Sequence, residues 1–95
     1  MVSFTVRMRF TDEDHEKVEG LLRVLTEESR KEPGCVSYIA HFVEGNPEFV
    51  LIYEQYADQA AVEAHRATDH FKQYAIGGLY QLMKDREVEN LIAVS

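Results

Sequence analysis

The chain reads as an α+β fold on three observations. Apolar residues alternate with polar ones in three separate runs. Two stretches between the runs carry an apolar residue at every third or fourth position, and Pro33-Gly34 and Gly45-Asn46-Pro47 punctuate the pattern. Val2, Phe4, Val6, Met8 and Phe10 alternate with Ser3, Thr5, Arg7 and Arg9, the period of a first strand with one strongly apolar face. Thr11 and Asp14 form a capping pattern, with Asp12, Glu13 and Asp14 where the positive end of a helix dipole favours acids. The helix that starts there carries Val18, Leu21, Leu22 and Leu25 on one face and ends near Glu32, because Pro33-Gly34 breaks it.

Alternation resumes from Cys35 to Val43 and, after a turn at Glu44-Gly45-Asn46-Pro47, from Glu48 to Tyr56, which predicts an antiparallel hairpin. Asp58 caps a short helix through Ala60, Val62 and His65, and Thr68 or Asp69 caps a longer one. The longer helix places Phe71, Tyr74, Ala75, Gly78, Leu79 and Leu82 on a single face at α-helical spacing. Glu87 to Val94 supplies a last strand. The order β-α-β-β-α-β is ferredoxin-like, an antiparallel sheet with helices on one face, and all of residues 1–95 belong to one domain.

The second and third strands are apolar on both sides: Val36, Tyr38, Ala40 and Phe42 oppose Ile39 and Val43, and Phe49, Leu51 and Tyr53 oppose Val50 and Ile52. Two helices cover one face only, so the other is expected to meet a second copy of the chain in a two-fold homodimer, sheet facing sheet.

Composition excludes several classes of partner. With 45% apolar and 28% charged residues the chain has the balance of an ordinary soluble domain. Its 17 acidic and 10 basic residues, net −7, leave no basic stripe beyond Arg30-Lys31 and the pair Arg7 and Arg9, so neither nucleic acid nor an anionic membrane is an expected partner. A single cysteine, no long apolar run and no positively flanked leader make the cytoplasm the expected compartment.

The stretch from Tyr53-Glu54-Gln55-Tyr56 through Ala64-His65-Arg66-Ala67-Thr68-Asp69-His70-Phe71 is the most distinctive. His65 closes a short helix, and an imidazole there is suited to act as general base or acid, with Glu54 to orient or protonate it. The alternative is a histidine hydrogen-bonded to Glu54 that holds helix to sheet. His70, directly before the long helix, reads either as a solvent-facing turn residue or as a ligand contact. Spacing of five is not the spacing of a paired helical site, so no metal is expected at His65 and His70. Cys35 has no basic neighbour to lower its pKa and reads as a small buried hydrophobe. Gly78 on the apolar stripe leaves either a flat pocket near Phe4, Tyr74, Leu79 and Met83, or a close helix contact.

Through Glu32-Pro33-Gly34-Cys35, the Phe49 to Tyr56 strand and the Ala-His-x-x-Thr-x-His-Phe pattern at Ala64 to Phe71, the sequence resembles the antibiotic biosynthesis monooxygenase family of dimeric α+β barrels nearly end to end. Haem-degrading relatives are marked by a first-strand Asn, a Trp and a long-helix His, and this chain has none of them after Phe71 or before it at those places. The resemblance therefore implies a cofactor-free oxygenase that uses O₂ on a quinol-like or polyphenolic substrate. Its implied catalytic residues are His65, Glu54 and His70, and its substrate contacts are Phe4, Tyr53, Phe71, Tyr74, Gly78 and Met83. Two other readings stay open. One is isomerisation of a small phosphorylated or polyhydroxylated ketone, for which Arg7, Arg9 and Arg66 are candidate phosphate ligands; the other is a dimeric module that binds without turnover.

Overall fold

In the computed structural model, which describes residues 1–95, four strands form one antiparallel sheet. The elements are β1 (Val2–Arg9), α1 (His15–Arg30), β2 (Cys35–Val43), β3 (Asn46–Tyr56), α2 (Gln59–Arg66), a π-helical segment (Phe71–Leu79) that continues as the single turn α3 (Tyr80–Leu82), and β4 (Asp85–Leu91). Strand order is β2-β3-β1-β4, so the apolar first strand and the long third strand lie at the centre. No helix is long and apolar enough to cross a membrane.

The core lies between the helices and one sheet face. Phe4, Val6 and Met8 of β1 and Val50 and Ile52 of β3 pack against Val18, Leu22 and Leu25 of α1, all buried. Each such side chain contributes about 1.5–3 kcal/mol on leaving water. Arg30 at the end of α1 donates from Nε to the Tyr38 carbonyl at 3.0 Å, which ties the helix to β2.

Several elements differ from their sequence-based expectation. A 3-10 turn over Asp12–Asp14 precedes α1, and Thr11 donates its hydroxyl to the Asp14 carboxylate instead of capping a backbone N–H. Pro47 lies inside β3, because Gly45, at φ +84°, makes a tighter turn in which Val43 already pairs with Asn46. A register shift between Cys35 and Ser37 turns Val36 outward, where it is 50% exposed. The last strand starts at Asp85, not Glu87, and ends at Leu91.

The long helix departs most. Its Tyr80 N–H bonds back to the Ala75 carbonyl, five residues away, so the α-helical spacing read from Phe71 to Leu82 does not describe its hydrogen bonding. Gly78 makes close packing possible: a Cβ there would stand 2.9 Å from Leu21 Cδ2 of α1. Of the two readings of Gly78, the close contact is the one found, made with Leu21 of α1.

On the uncovered sheet face, Ile39, Phe49, Leu51 and Tyr53 form an apolar centre on β2 and β3, bordered by Arg7 and Arg9 of β1 and Glu87 and Glu89 of β4. The Arg7 guanidinium lies 5.0 Å from the Phe49 ring centre and shields part of that centre. The face is thus more charged than the β2 and β3 patterns alone imply.

Two glycines should respond in opposite directions to alanine. The position of a Gly34 Cβ is already taken by Ala61 of α2, whereas a Cβ on Gly20, exposed in the middle of α1, meets nothing within 4 Å. Gly34→Ala is expected to lose about 1–3 kcal/mol in urea unfolding, through overpacking. Gly20→Ala is expected to gain about 0.5–1 kcal/mol, through helix propensity.

Candidate active site

Three turns of the backbone bring the candidate site together. After α1, Glu32 N–H bonds to the Ser29 carbonyl and Cys35 N–H to the Glu32 carbonyl, both at 3.1 Å, while Gly34 accepts from Ala57 N–H at 2.9 Å. This fixes Glu32 between the end of α1 and the start of β2. At the other side of the site, Asp58 caps α2 by accepting from Ala61 N–H at 2.8 Å, and His65 lies in the last turn of that helix. Thr68 then links two segments: its hydroxyl donates to the His65 carbonyl at 2.7 Å and accepts from Phe71 N–H at 3.2 Å. The chain bends at Thr68, and His70 comes to the same side as His65.

Both histidines converge on Glu32. His65 Nδ1 is 2.9 Å from Glu32 Oε2, and His70 Nε2 is 2.6 Å from the same oxygen. A carboxylate only accepts, so each nitrogen carries a proton toward it when Glu32 is ionised. His65 Nε2 points the other way, with Glu54 Oε1 at 3.7 Å, beyond hydrogen-bond reach. The Tyr56 hydroxyl occupies Glu54, donating to Oε1 at 2.6 Å.

Sequence reasoning pairs His65 with Glu54, whereas the structure hydrogen-bonds it to Glu32. It also corrects the solvent-facing reading of His70, which is held by a carboxylate and mostly covered. Glu32 escaped the sequence reading because 33 and 38 residues separate it from its two partners. A signal existed nonetheless. A carboxylate at the negative end of a helix dipole is unfavourable, so an acid just before Pro33-Gly34 calls for donors from elsewhere.

His65 closes one wall of a small cavity between the sheet and the π segment. The cavity measures about 40 Å³, and Phe4, Tyr38, Glu54, His65, Phe71 and Leu79 line its interior. Arg66, Tyr80 and Arg86 line its outer side, with the Arg86 guanidinium 5.2 Å from the Tyr80 ring centre. Of the expected contacts, Phe4 and Phe71 reach this space, while Tyr53, Tyr74, Gly78 and Met83 do not line it. Tyr53 projects from the opposite sheet face, by the alternation of β3. Tyr74 borders a separate outer groove with His70, and Gly78 faces Leu21. Among the candidate phosphate ligands only Arg66 is at the cavity, for Arg9 pairs with Asp85 at 2.7 Å and Arg7 covers Phe49. Arg86 was not singled out from sequence, where nothing marks it.

Burial sets the charge states. It pushes the Glu54 carboxyl up from the ordinary 4.5, against the lowering effects of the Tyr56 hydrogen bond, His65 and Arg66. The phenols of Tyr38 and Tyr56 are pushed up by burial and then by the Glu54 charge, so both stay protonated donors. Burial, followed by the Glu32 and Glu54 charges, likewise raises the Cys35 thiol, which is no nucleophile in this setting.

Glu32, His65 and His70 also form the one cluster of potential metal donors, their ligand atoms within 4.8 Å of one another. Donor atoms around a tetrahedral zinc ion lie roughly 3.3 Å apart, given bonds of about 2.0–2.1 Å. The separations of 2.6 and 2.9 Å here are those of direct hydrogen bonds.

The model of a single family, antibiotic biosynthesis monooxygenase, matches residues 1–75. The chain belongs to that family. A solved antibiotic biosynthesis monooxygenase is 27% identical over 100% of both chains, with a TM-score of 0.92. A Bacteroides thetaiotaomicron protein provisionally named an antibiotic biosynthesis monooxygenase is 32% identical, over 99% of this chain and 90% of that one, with a TM-score of 0.91. A Pseudomonas aeruginosa protein is 26% identical, over 99% and 94%, with a TM-score of 0.89. No curated protein matches. In this antibiotic biosynthesis monooxygenase domain the family match ends at Ala75, so it covers Glu32, Glu54, His65 and His70 but not Arg86.

The raised Glu54 carboxyl makes stability depend on pH. The folded protein holds this proton more tightly than the unfolded chain does. The stabilisation is complete below pH 4.5 and is lost as pH rises through the raised value. From pH 4.5 toward neutrality, urea unfolding of Glu54→Gln is therefore expected to gain on the parent protein. A difference that stays constant with pH would contradict this account.

Proposed function

We propose that this family member is a cofactor-independent monooxygenase that oxidises a quinol-like or polyphenolic substrate with O₂, His65 acting as base. The observation that carries this reading is the arrangement of His65: one ring nitrogen is held by Glu32 and the other is free at the wall of an apolar cavity. A phenol or enol loses its O–H proton to His65 Nε2, and the electron pair stays on the substrate. The electron-rich anion passes one electron to O₂, and the radical pair combines into a carbon-bound peroxide. Loss of water from the peroxide leaves a carbonyl, so that in sum CH₂ + O₂ gives C=O + H₂O. The substrate itself supplies the electrons, so the step needs no added reductant. Glu54, whose carboxyl burial raises, lines the same cavity and would hydrogen-bond to the developing oxygen anion in its protonated form.

A cavity of about 40 Å³ holds a water or an O₂ molecule, not an aromatic ring, since even benzene occupies a cavity of about 150 Å³. Substrate entry therefore requires the Tyr80 and Arg86 side chains to move outward. Arg86 lies on β4, an edge strand exposed along its whole length and paired on one side only, with β1.

Arg66 and Arg86 on the outer side of the cavity favour a substrate with an anionic substituent, and so keep the isomerase reading in view. There, Glu54 and His65 would shuttle a proton between carbons without consuming O₂. Oxygen uptake with a panel of naphthohydroquinones and anthrone-like phenols separates the two. His65→Ala is expected to lower uptake, after subtraction of autoxidation, by about 100-fold or more with the fold intact. Proton exchange into a phosphorylated ketone without uptake would support the isomerase instead.

The homodimer is part of the same proposal, through the uncovered sheet face. Its support is the apolar centre at Phe49, Leu51 and Tyr53 together with Ile39, which is 41% exposed. Light scattering is expected to give twice the chain mass of 11.0 kDa. Leu51→Lys, which adds a cation between Arg7 and His41, is expected to shift that mass to the monomer.

A further inference from the structure

In the reaction as proposed Glu32 only holds His65 in place, and His70 has no task. Glu32 does not line the cavity, and neither does His70. They continue from His65 outward. His65 Nδ1 meets Glu32 Oε2 at 2.9 Å, and Glu32 Oε2 meets His70 Nε2 at 2.6 Å. Side-chain exposure rises along this line from 4% at His65 to 13% at Glu32 and 17% at His70. His70 then borders an open groove on the far side of the cavity, with Glu28, Asp69 and Tyr74.

We propose that Glu32 and His70 form a proton outlet connecting His65 to solvent on the side away from the substrate. The inference rests on His65 being the base. A substrate in the cavity closes the inner route to water, because Tyr38, Tyr56 and Phe71 surround the imidazole at ring-centre distances of 6.0, 5.1 and 5.1 Å. The outer route stays open whatever fills the cavity.

The transfer balances without any redox step. The substrate O–H breaks heterolytically, and its proton bonds to His65 Nε2. The Nδ1 proton moves to Glu32 Oε2. His70, once water in the outer groove has moved its own proton from Nε2 to Nδ1, takes the Glu32 proton at Nε2 and releases the Nδ1 proton to water, which returns Glu32 to a carboxylate. His65 is left neutral, with its proton on Nε2. When the peroxide later takes that proton, a proton travelling inward from solvent restores Nδ1–H. Between the two passages the substrate anion faces a neutral imidazole instead of an imidazolium, so it is not reprotonated at once and persists long enough to meet O₂.

The charged and titratable groups around this line come from every neighbouring element. Glu28 of α1 faces His70, Glu54, Tyr38 and Tyr56 come from the sheet, Cys35 from the start of β2, and Arg66 from α2. None of them offers His65 Nδ1 a hydrogen bond in place of Glu32.

The direct test needs no substrate. Solvent exchange of the His65 Nδ1 proton is measured by ¹H–¹⁵N NMR in the parent protein, in His70→Gln and in Glu32→Gln. Both variants keep an amide able to hydrogen-bond in place, and neither can relay a proton. Slowing by about tenfold or more in both is expected. An unchanged rate in either folded variant would overturn the outlet. If one variant does not fold, the other decides.

With a naphthohydroquinone that the parent protein turns over, His70→Gln should lower kcat with KM unchanged, and added imidazole, a mobile proton carrier, should restore it. A lowered kcat that imidazole does not restore would reduce His70 to a positioning residue and also overturn the outlet. Absence of uptake by the parent protein would instead count against the oxygenase reading, and the exchange rates would still judge the relay.

Discussion

The hold of one carboxylate on two imidazoles is the constraint on which the rest of the site depends. Glu32 stands at the junction of α1 and β2, His65 at the end of α2 and His70 at the entry to the π segment, so its two hydrogen bonds join three parts of the chain. Removing such a partner leaves buried polar atoms without a mate, at a cost of about 1–3 kcal/mol for each group. The contact does more than add stability. It selects which nitrogen of His65 carries a proton and directs the other at the cavity, although Glu32 itself does not line that cavity.

Backbone details make that contact possible. Pro33-Gly34 ends α1 abruptly, and the missing side chain at Gly34 lets α2 approach at Ala61. Thr68 uses one hydroxyl to close α2 and open the next segment, which rotates His70 back toward His65. Gly78 draws the π segment onto Leu21 of α1, and Ala75 and Leu79 then seal the cavity from the helix side. In each case a small or short polar residue gives up packing of its own to bring larger neighbours into contact.

Much of the fold is legible in the sequence because its strands announce themselves by alternation. β1 and β2 lie within a residue of where the pattern puts them, since burial of Phe4, Val6, Met8 and Tyr38 on one face dictates both pattern and position. What is not legible depends on contacts between distant residues. The π-helical hydrogen bonding arises where Gly78 meets Leu21, and the outward turn of Val36 arises from a shift in strand pairing; neither leaves a local trace. The site divides in the same way. His65, Glu54 and Phe4 are marked by residue type and spacing and Phe71 by the family resemblance, and all four line the cavity, while Arg86 reaches it and Glu32 reaches His65 only through the tertiary fold.

The closed cavity has a thermodynamic consequence. If the resting protein admits nothing larger than a water or O₂ molecule, any ring-sized ligand binds only the fraction of molecules whose Tyr80 and Arg86 wall is open. The observed affinity is then the intrinsic affinity scaled down by that fraction. Residues of β4 that never contact a ligand would tune binding by shifting the balance between closed and open forms. Variation along this exposed edge would let relatives with the same inner residues accept substrates of different bulk while the base and its carboxylate stay where they are.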